Sequence, residues 1–176
     1  MTDPMSVTPE FSRPLAADSI GVDGQQRRIE ADEGEREALA RRFDLLALDR
    51  LEASLELRRV KGDLVRMKGH LLADVVQSCV VTLAPVPARL EVEFETSYSA
   101  TAQAPEADID PLGEDAPEAI ERGEIDLGEA VAQQLAVALE PYPRAPGATL
   151  DPESAAAGDA GRRSPFVDLA RLKRDC

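Results

Sequence analysis

Apolar and polar residues alternate over several stretches of the chain, and this pattern predicts most of its secondary structure. A period of two places alternate side chains on opposite faces of a strand, one buried and one solvated. We predict strands over 9–15, 25–31, 50–62 and 64–79, and over the stretch that contains Leu90, Val92, Phe94 and Thr96. A bulge is expected at Gly69, and Pro85 and Pro87 are expected to interrupt pairing.

Two other stretches have helical periodicity, and we predict helices over 33–43 and 124–143. An aspartate that can act as N-cap comes before each apolar stripe. A glutamate three residues later can bond back to the cap, which would give capping boxes at Asp32–Glu35 and Asp126–Glu129.

These elements predict an α+β fold that consists mainly of an antiparallel sheet. The pattern does not decide whether this sheet is flat or barrel-like. A short N-terminal helix and a long C-terminal helix are expected to pack on the sheet. The predicted organisation is a disordered N-terminus over 1–8, one domain over 9–143 with a mobile acidic loop at 99–117, a flexible linker over 144–163, and a short amphipathic tail helix over 164–176.

Charge is distributed unevenly along the 176 residues, whose formal net charge is −14. Between Glu91 and Glu129 there are 13 acidic residues and one basic residue, whereas the segment from Arg50 to His70 has a net charge of +3. An acidic chain repels phosphate backbones, so RNA binding would need a local basic patch. Solvated surface is the simpler interpretation of both runs.

Two groups of charged residues are candidates for binding. Five basic residues flank one predicted hairpin turn and could contact RNA together: Arg58, Arg59, Lys61, Arg66 and Lys68. Three acidic residues alternate along one predicted strand face and could bind a basic partner: Glu91, Glu93 and Glu95.

Candidate chemistry is sparse. The sequence contains no serine elbow, phosphate-binding glycine loop or dinucleotide fingerprint. One histidine and two distant cysteines, Cys79 and Cys176, cannot supply four zinc ligands. We therefore expect no catalytic residue, metal or cofactor. A small hydrolase or transferase that uses His70 and Cys79 stays as an alternative.

No signal peptide or bilayer-spanning apolar run is recognised, and the cysteine usage fits a reducing compartment. These features lead us to expect a soluble cytoplasmic protein.

The segment CVVTLAPV, residues 79–86, and several later segments together resemble the YceD-like family of large ribosomal RNA subunit accumulation proteins. The resemblance runs over about 79–173, in the family's order. The matching positions are Cys79, Leu83, Pro85, Val86, Phe94, Tyr98, Ile125, Asp126, Leu127, Glu129, Gln134, Leu135, Leu139, Pro141, Pro165, Phe166, Leu169, Leu172 and Lys173.

The chain departs from the family pattern at its cysteines. Thr82 stands where members often carry a second cysteine, and 143–148 lacks the cysteine group that many members have after the long helix. The resemblance implies that any metal clip of cysteine-rich relatives is lost, so that packing holds this version together.

In functional terms, the resemblance implies a non-catalytic bacterial factor in ribosome biogenesis that supports accumulation of large-subunit (23S) ribosomal RNA. Two mechanisms are open: the acidic strand and loop bind a basic ribosomal protein, or the basic hairpin contacts precursor rRNA. The net charge favours the first, because long-range attraction speeds capture of cationic partners. A general acidic interaction module unrelated to ribosomes is an alternative.

Overall fold

The computed structural model describes residues 9–101 and 117–149, and most of these residues lie in or near strands. The elements are β1 (Pro14–Ala16), a 3₁₀ turn (Ala17–Ser19), β2 (Gln25–Glu30), α1 (Glu33–Arg42), β3 (Ala47–Lys61), β4 (Leu64–Ser78), β5 (Pro85–Ser99), β6 (Glu118–Ala119), β7 (Glu124–Asp126) and α2 (Leu127–Ala138).

Five strands form one sheet in the order β2-β3-β4-β5-β6. Neighbouring strands are antiparallel, except that β6 pairs in parallel with Tyr98 and Ser99 at the end of β5. β1 and β7 form a separate two-stranded antiparallel sheet. The three long strands therefore make the framework of the described domain.

The alternation in the sequence sorts the residues of the sheet onto two faces. One face is apolar and buried, and it joins residues from both helices and from the N-terminal segment in one core. Fully buried members of this core include Phe11, Leu39, Leu51, Leu55, Leu57, Val65, Met67, Leu71, Val75, Val131 and Leu135. The other face of β3, β4 and β5 carries mostly charged and polar residues, so the sheet is solvated on one side.

The predicted fold class is wrong. The described chain is mostly β-sheet, and its five-stranded sheet is open rather than closed into a barrel. The helix predicted over 33–43 is present as α1, but it follows β1, the 3₁₀ turn and β2, so its description as an N-terminal helix is wrong. The C-terminal helix is short, with 12 residues in α2.

Local contacts explain why α2 is shorter than the predicted 124–143. Residues 124–126 pair with β1, where Asp126 accepts hydrogen bonds from Ser12 Oγ (2.6 Å) and from the Arg13 amide (2.8 Å). At the other end Leu139 is already extended, two residues before Pro141. Pro141 disfavours helical geometry at Glu140 and has no N–H to donate to the Val137 carbonyl, so the helix cannot continue to 143.

The first turn of α2 packs tightly against the N-terminal segment. A Cβ atom added at Gly128 would lie 2.4 Å from the carbonyl oxygen of Phe11. Only glycine allows this approach, which brings Phe11 into the core. Neither helix among the described residues has the length and apolar character needed to cross a membrane.

Two predictions about the strands are also wrong. Gly69 forms no bulge: it pairs regularly with Leu55 and Phe94, and the irregularities lie at Leu48/Arg50 and Arg59/Lys61. Pro85 and Pro87 stay in register with β4. Proline is tolerated there because, among the described residues, no strand pairs with that part of β5 on its other side.

Several predicted segments lie partly or wholly outside the described residues: 1–8, most of the loop at 99–117, the linker beyond 149, and the tail 164–176. The described ends of these segments differ from the prediction at two places. Ser99 is the last residue of β5, and Ala145, in the predicted linker, donates a hydrogen bond to Cys79 Sγ.

Candidate functional site

The three candidate acidic residues lie along an edge of the sheet. Glu91, Glu93 and Glu95 alternate on the exposed face of β5. Only Tyr98 and Ser99 of β5 pair with β6, so the outer backbone of Pro85–Ser97 has no strand partner among the described residues. We call Pro85–Ser97 the β5 edge. Such an edge carries unpaired N–H and C=O groups that another extended segment can pair with.

The three glutamates differ in the contacts that they make with β4. Glu91 contacts His70, with 2.9 Å between Oε1 and Nε2. Glu95 forms ion pairs with Arg66 (2.9 Å) and Lys68 (3.5 Å). Glu93 has no ion pair within the described part of the chain. The β5 edge therefore keeps an acidic character.

An open groove of about 830 Å³ crosses the solvated face beside these glutamates. Two cross-strand rows border it: Gln26–Glu56–Lys68–Glu95 and Arg28–Ser54–His70–Glu93. Its charged side chains are of both signs, and its lining includes Gly69 and Phe94. The groove is a surface for polar contacts and does not resemble an enclosed catalytic pocket.

The five candidate basic residues are divided between the two faces. Arg58, Arg66 and Lys68 lie on the solvated face, because Arg58 and Arg66 are opposite each other and Lys68 follows two residues later. Arg59 lies on the other face, where it donates to the carbonyls of Ala17 (2.7 Å), Ile20 (3.0 Å) and Gly62 (3.1 Å). The exposed Lys61 is at the turn.

Internal contacts also occupy most of these cations. The Nε of Arg58 donates to the carbonyl of Val22 at 2.9 Å, and Arg66 and Lys68 pair with Glu95. The hairpin therefore presents three cations on the solvated face, and each of them already has an internal contact.

A carboxylate that sequence reasoning missed ties this hairpin turn to the end of β5. Asp63 accepts hydrogen bonds from the Ser99 hydroxyl (2.7 Å) and the Thr101 amide (2.9 Å). These bonds favour the charged form and lower the pKa of Asp63 to about 2. The Gly62-Asp63 pair signals a turn, but the partners lie 36 and 38 residues away and leave no local pattern.

Cys79 lies buried where two loops meet. Its Sγ accepts hydrogen bonds from the amides of Val81 (3.4 Å), Thr82 (3.4 Å) and Ala145 (3.3 Å), and the Val80 amide donates to the Pro143 carbonyl at 2.9 Å. The Ala145 bond is the main reason that the pKa of the thiol falls to about 6, although burial opposes the shift. Residues 143–148, which lack the cysteine group that many family members carry, thus pack directly on the Cys79 loop.

Other family-motif positions have mainly structural roles. Tyr98, Leu127 and Leu135 are buried, and Phe94 is half-buried. Pro85 and Val86 begin β5, whereas Leu83 is exposed in the preceding loop with φ of 60°. Pro165 and Phe166 lie outside the described residues.

Asp126 and Glu129 show which part of the predicted second capping box forms. Asp126 caps α2 by accepting from the amides of Gly128 (3.0 Å) and Glu129 (3.2 Å). The predicted return bond of Glu129 is replaced by a bidentate pair with Arg42, at 2.8 Å for both contacts. Charge-assisted bidentate pairing is stronger than a bond to a neutral amide, and the Arg42 pair lowers the pKa of Glu129.

The structure separates the two residues of the enzyme alternative. His70 is half-exposed on the solvated face, whereas Cys79 is buried beyond the end of the same strand. The eight residue steps from His70 to Ser78 span about 26 Å at the usual strand rise. No group of three or more His, Cys, Asp or Glu side chains within 9–101 and 117–149 is arranged to hold a metal ion.

Comparison with known proteins gives one match. No curated protein and no solved structure is matched by the chain. The family model described as "Large ribosomal RNA subunit accumulation protein YceD" matches residues 67–173. The match begins within β4 and includes β5, its acidic edge, the Cys79 loop and α2. It covers more than half of the sequence, and the chain therefore belongs to the YceD family.

Proposed function

We propose that this protein is a non-catalytic, cytoplasmic factor in ribosome biogenesis, which supports accumulation of large-subunit rRNA by binding a basic ribosomal protein at the β5 edge. The family description supports the link to large-subunit rRNA. The observation that carries the binding mode is the alternation of Glu91, Glu93 and Glu95 along a strand whose outer backbone has no strand partner among the described residues.

The edge offers two kinds of complementary contact to a cationic segment. An extended partner could add a strand to β5 through main-chain hydrogen bonds. Its lysine and arginine side chains could then face the three glutamates. Attraction by the acidic chain would raise the association rate and would weaken with added salt.

The contacts of the basic hairpin favour a protein partner over RNA. Arg59 is engaged with backbone carbonyls on the other face, and Arg66 and Lys68 are paired with Glu95. Phosphate binding by these side chains would require those contacts to break. A basic protein can bind Glu93 directly, because Glu93 has no ion pair among the described residues.

Affinity purification from native lysate, with the full chain as bait, tests this proposal. Portions of the lysate are tested at low and at moderate salt, each with and without ribonuclease. We expect basic large-subunit proteins to be recovered at low salt, to survive ribonuclease, and to decrease at moderate salt.

Two variants with the same change in charge make the test specific to the edge. The edge variant combines Glu91→Gln, Glu93→Gln and Glu95→Gln. The α1 variant combines Glu33→Gln and Glu37→Gln on α1 with Asp44→Asn two residues after it, all at exposed positions. The edge variant should lose the partner and the α1 variant should keep it. Recovery of large-subunit rRNA that disappears with ribonuclease would overturn protein binding in favour of the basic hairpin, and equal recovery by both variants would overturn the assignment to the edge.

A further inference from the structure

The C-terminal part of the chain contains an unusual concentration of positive charge. Outside 9–101 and 117–149, all five basic residues fall within residues 162–174: Arg162, Arg163, Arg171, Lys173 and Arg174. Asp168 is the one acidic residue among them, so this segment has a net charge of +4 in a chain of −14. It also carries the apolar residues Phe166, Val167, Leu169 and Leu172. We call residues 162–174 the cationic segment.

The chain leaves the described domain close to one end of β5. The amide of Ala145 is 3.3 Å from Cys79 Sγ, and Cys79 directly follows Ser78, which pairs with Pro85. Twelve residues lie between Thr149 and Arg162, and the thirteen steps from one Cα to the other can span up to about 45 Å. Glu95 lies about 33 Å along β5 from Pro85 at the usual strand rise. The cationic segment can therefore reach all three glutamates.

The β5 edge matches the composition of this segment. Glu91, Glu93 and Glu95 lie on one face, while Leu90, Val92 and Phe94 are half-buried hydrophobic residues that pack at the margin of the core on the other. A segment that lies along the edge can contact both sets. Because the segment is tethered, its effective concentration at the edge is on the order of millimolar, so weak contacts are sufficient.

We propose that the cationic segment docks in cis along the β5 edge, with its basic side chains facing Glu91, Glu93 and Glu95. The docked segment covers the same edge that we assign to a basic partner. If the proposed function holds, the partner must displace the cationic segment from the edge. The docking itself requires no ribosomal component, and its test can fail or succeed independently of the proposed function.

The native cysteines allow a direct test with the full chain. Cys176 follows the cationic segment, whereas Cys79 is fully buried, so a nitroxide reagent can be directed to Cys176 and the site of labelling checked by mass spectrometry. Paramagnetic broadening of backbone amide signals in the diluted protein then reports which surface lies near the segment. We expect broadening along Leu90–Glu95 and much less on α1.

Charge variants distinguish docking at the edge from chance proximity. The edge variant should lose the broadening, as should Arg171→Gln/Lys173→Gln/Arg174→Gln, while the α1 variant should retain it. About 1 M salt, where the Debye length is roughly 3 Å, should also remove it. Far-ultraviolet circular dichroism and the unfolding midpoint check that each variant remains folded.

Three outcomes would overturn the proposal. The first is broadening that grows with protein concentration and falls when unlabelled chain is added, which would place the segment on a second copy. The second is broadening centred on another surface, and the third is no broadening of the β5 amides in the wild-type chain at low salt.

Discussion

At the residue scale, Gly69 illustrates a contact that the sequence pattern could not supply. A Cβ atom at this position would lie 2.2 Å from Cζ of Phe94, so the phenyl ring of β5 lies over the glycine of β4. The alternation predicted the two strands, but it could not show that Gly69 and Phe94 would be opposite each other. From the sequence alone, the glycine instead predicts a bulge.

We expect Gly69→Ala to destabilise the domain by about 1–3 kcal/mol, because the methyl group displaces the Phe94 ring from a packed position. Urea unfolding followed by circular dichroism measures this change. Gly34→Ala on α1 is the control, since its Cβ would meet nothing closer than 3.5 Å and alanine favours helix. An unchanged unfolding midpoint for Gly69→Ala would show that the ring does not depend on the glycine.

Asp63 predicts a particular pH dependence of stability. Its pKa is about 2 in the folded state against an ordinary 3.8, so its contribution is fully present above about pH 4 and disappears as the pH falls towards 2. Asp63→Asn should therefore be less stable than the wild type at pH 6, and the difference should shrink through this window. A difference that stays constant from pH 6 to pH 2 would contradict the assignment to the carboxylate.

Sequence reasoning succeeded at this scale where both partners are neighbours in the chain. The capping box of Asp32 and Glu35 is confirmed, with 2.9 Å for each of its two hydrogen bonds. It failed for Glu129, whose partner Arg42 is 87 residues away. The capping rule identifies a side chain that can form a local hydrogen bond. The tertiary structure determines whether another partner, such as Arg42, lies close enough to bind that side chain instead.

At the element scale, the alternation located the long strands but did not determine the architecture. Strand period fixes which residues share a face, and the buried face of β3 and β4 agrees with it. The short pairing of β7 with β1 and the early end of α2 depend on Asp126 and Pro141 in their tertiary context. The helical pattern of apolar residues continues through 124–126 and past Leu139, and it therefore predicts a helix that is too long.

The pair between Arg42 and Glu129 joins α1 to α2 and gives a prediction at this scale. Arg42 also contacts Glu10 at 3.0 Å, so its guanidinium bridges three segments. We expect Arg42→Gln to lower the free energy of unfolding by about 1 kcal/mol, a modest value because the pair is partly exposed to solvent. Urea unfolding at low ionic strength measures the change.

Arg41→Gln is the matched control on the same helix. Arg41 lies 4.0 Å from Glu37 and both side chains are largely exposed, so this substitution should change stability very little. Equal effects of the Arg41 and Arg42 substitutions would mean that the bridge between the helices adds nothing to stability.

At the scale of the whole molecule, charge is arranged differently from what the linear sequence suggested. The basic hairpin is largely compensated by neighbouring acids and carbonyls, whereas the acidic strand forms an edge of the sheet. Composition indicated a preference for cationic partners. It could not indicate that β5 would lack a strand partner over Pro85–Ser97 among the described residues, because strand order depends on the complete topology.

We propose that the β5 edge supports accumulation of large-subunit rRNA. The most direct measurement is the ratio of large-subunit to small-subunit rRNA in cells that lack the gene and carry the wild type, the edge variant or the α1 variant at equal protein levels. We predict that the wild type and the α1 variant restore the ratio and that the edge variant does not. Full restoration by the edge variant, with the protein folded and equally abundant, would show that the β5 edge is not needed for this accumulation.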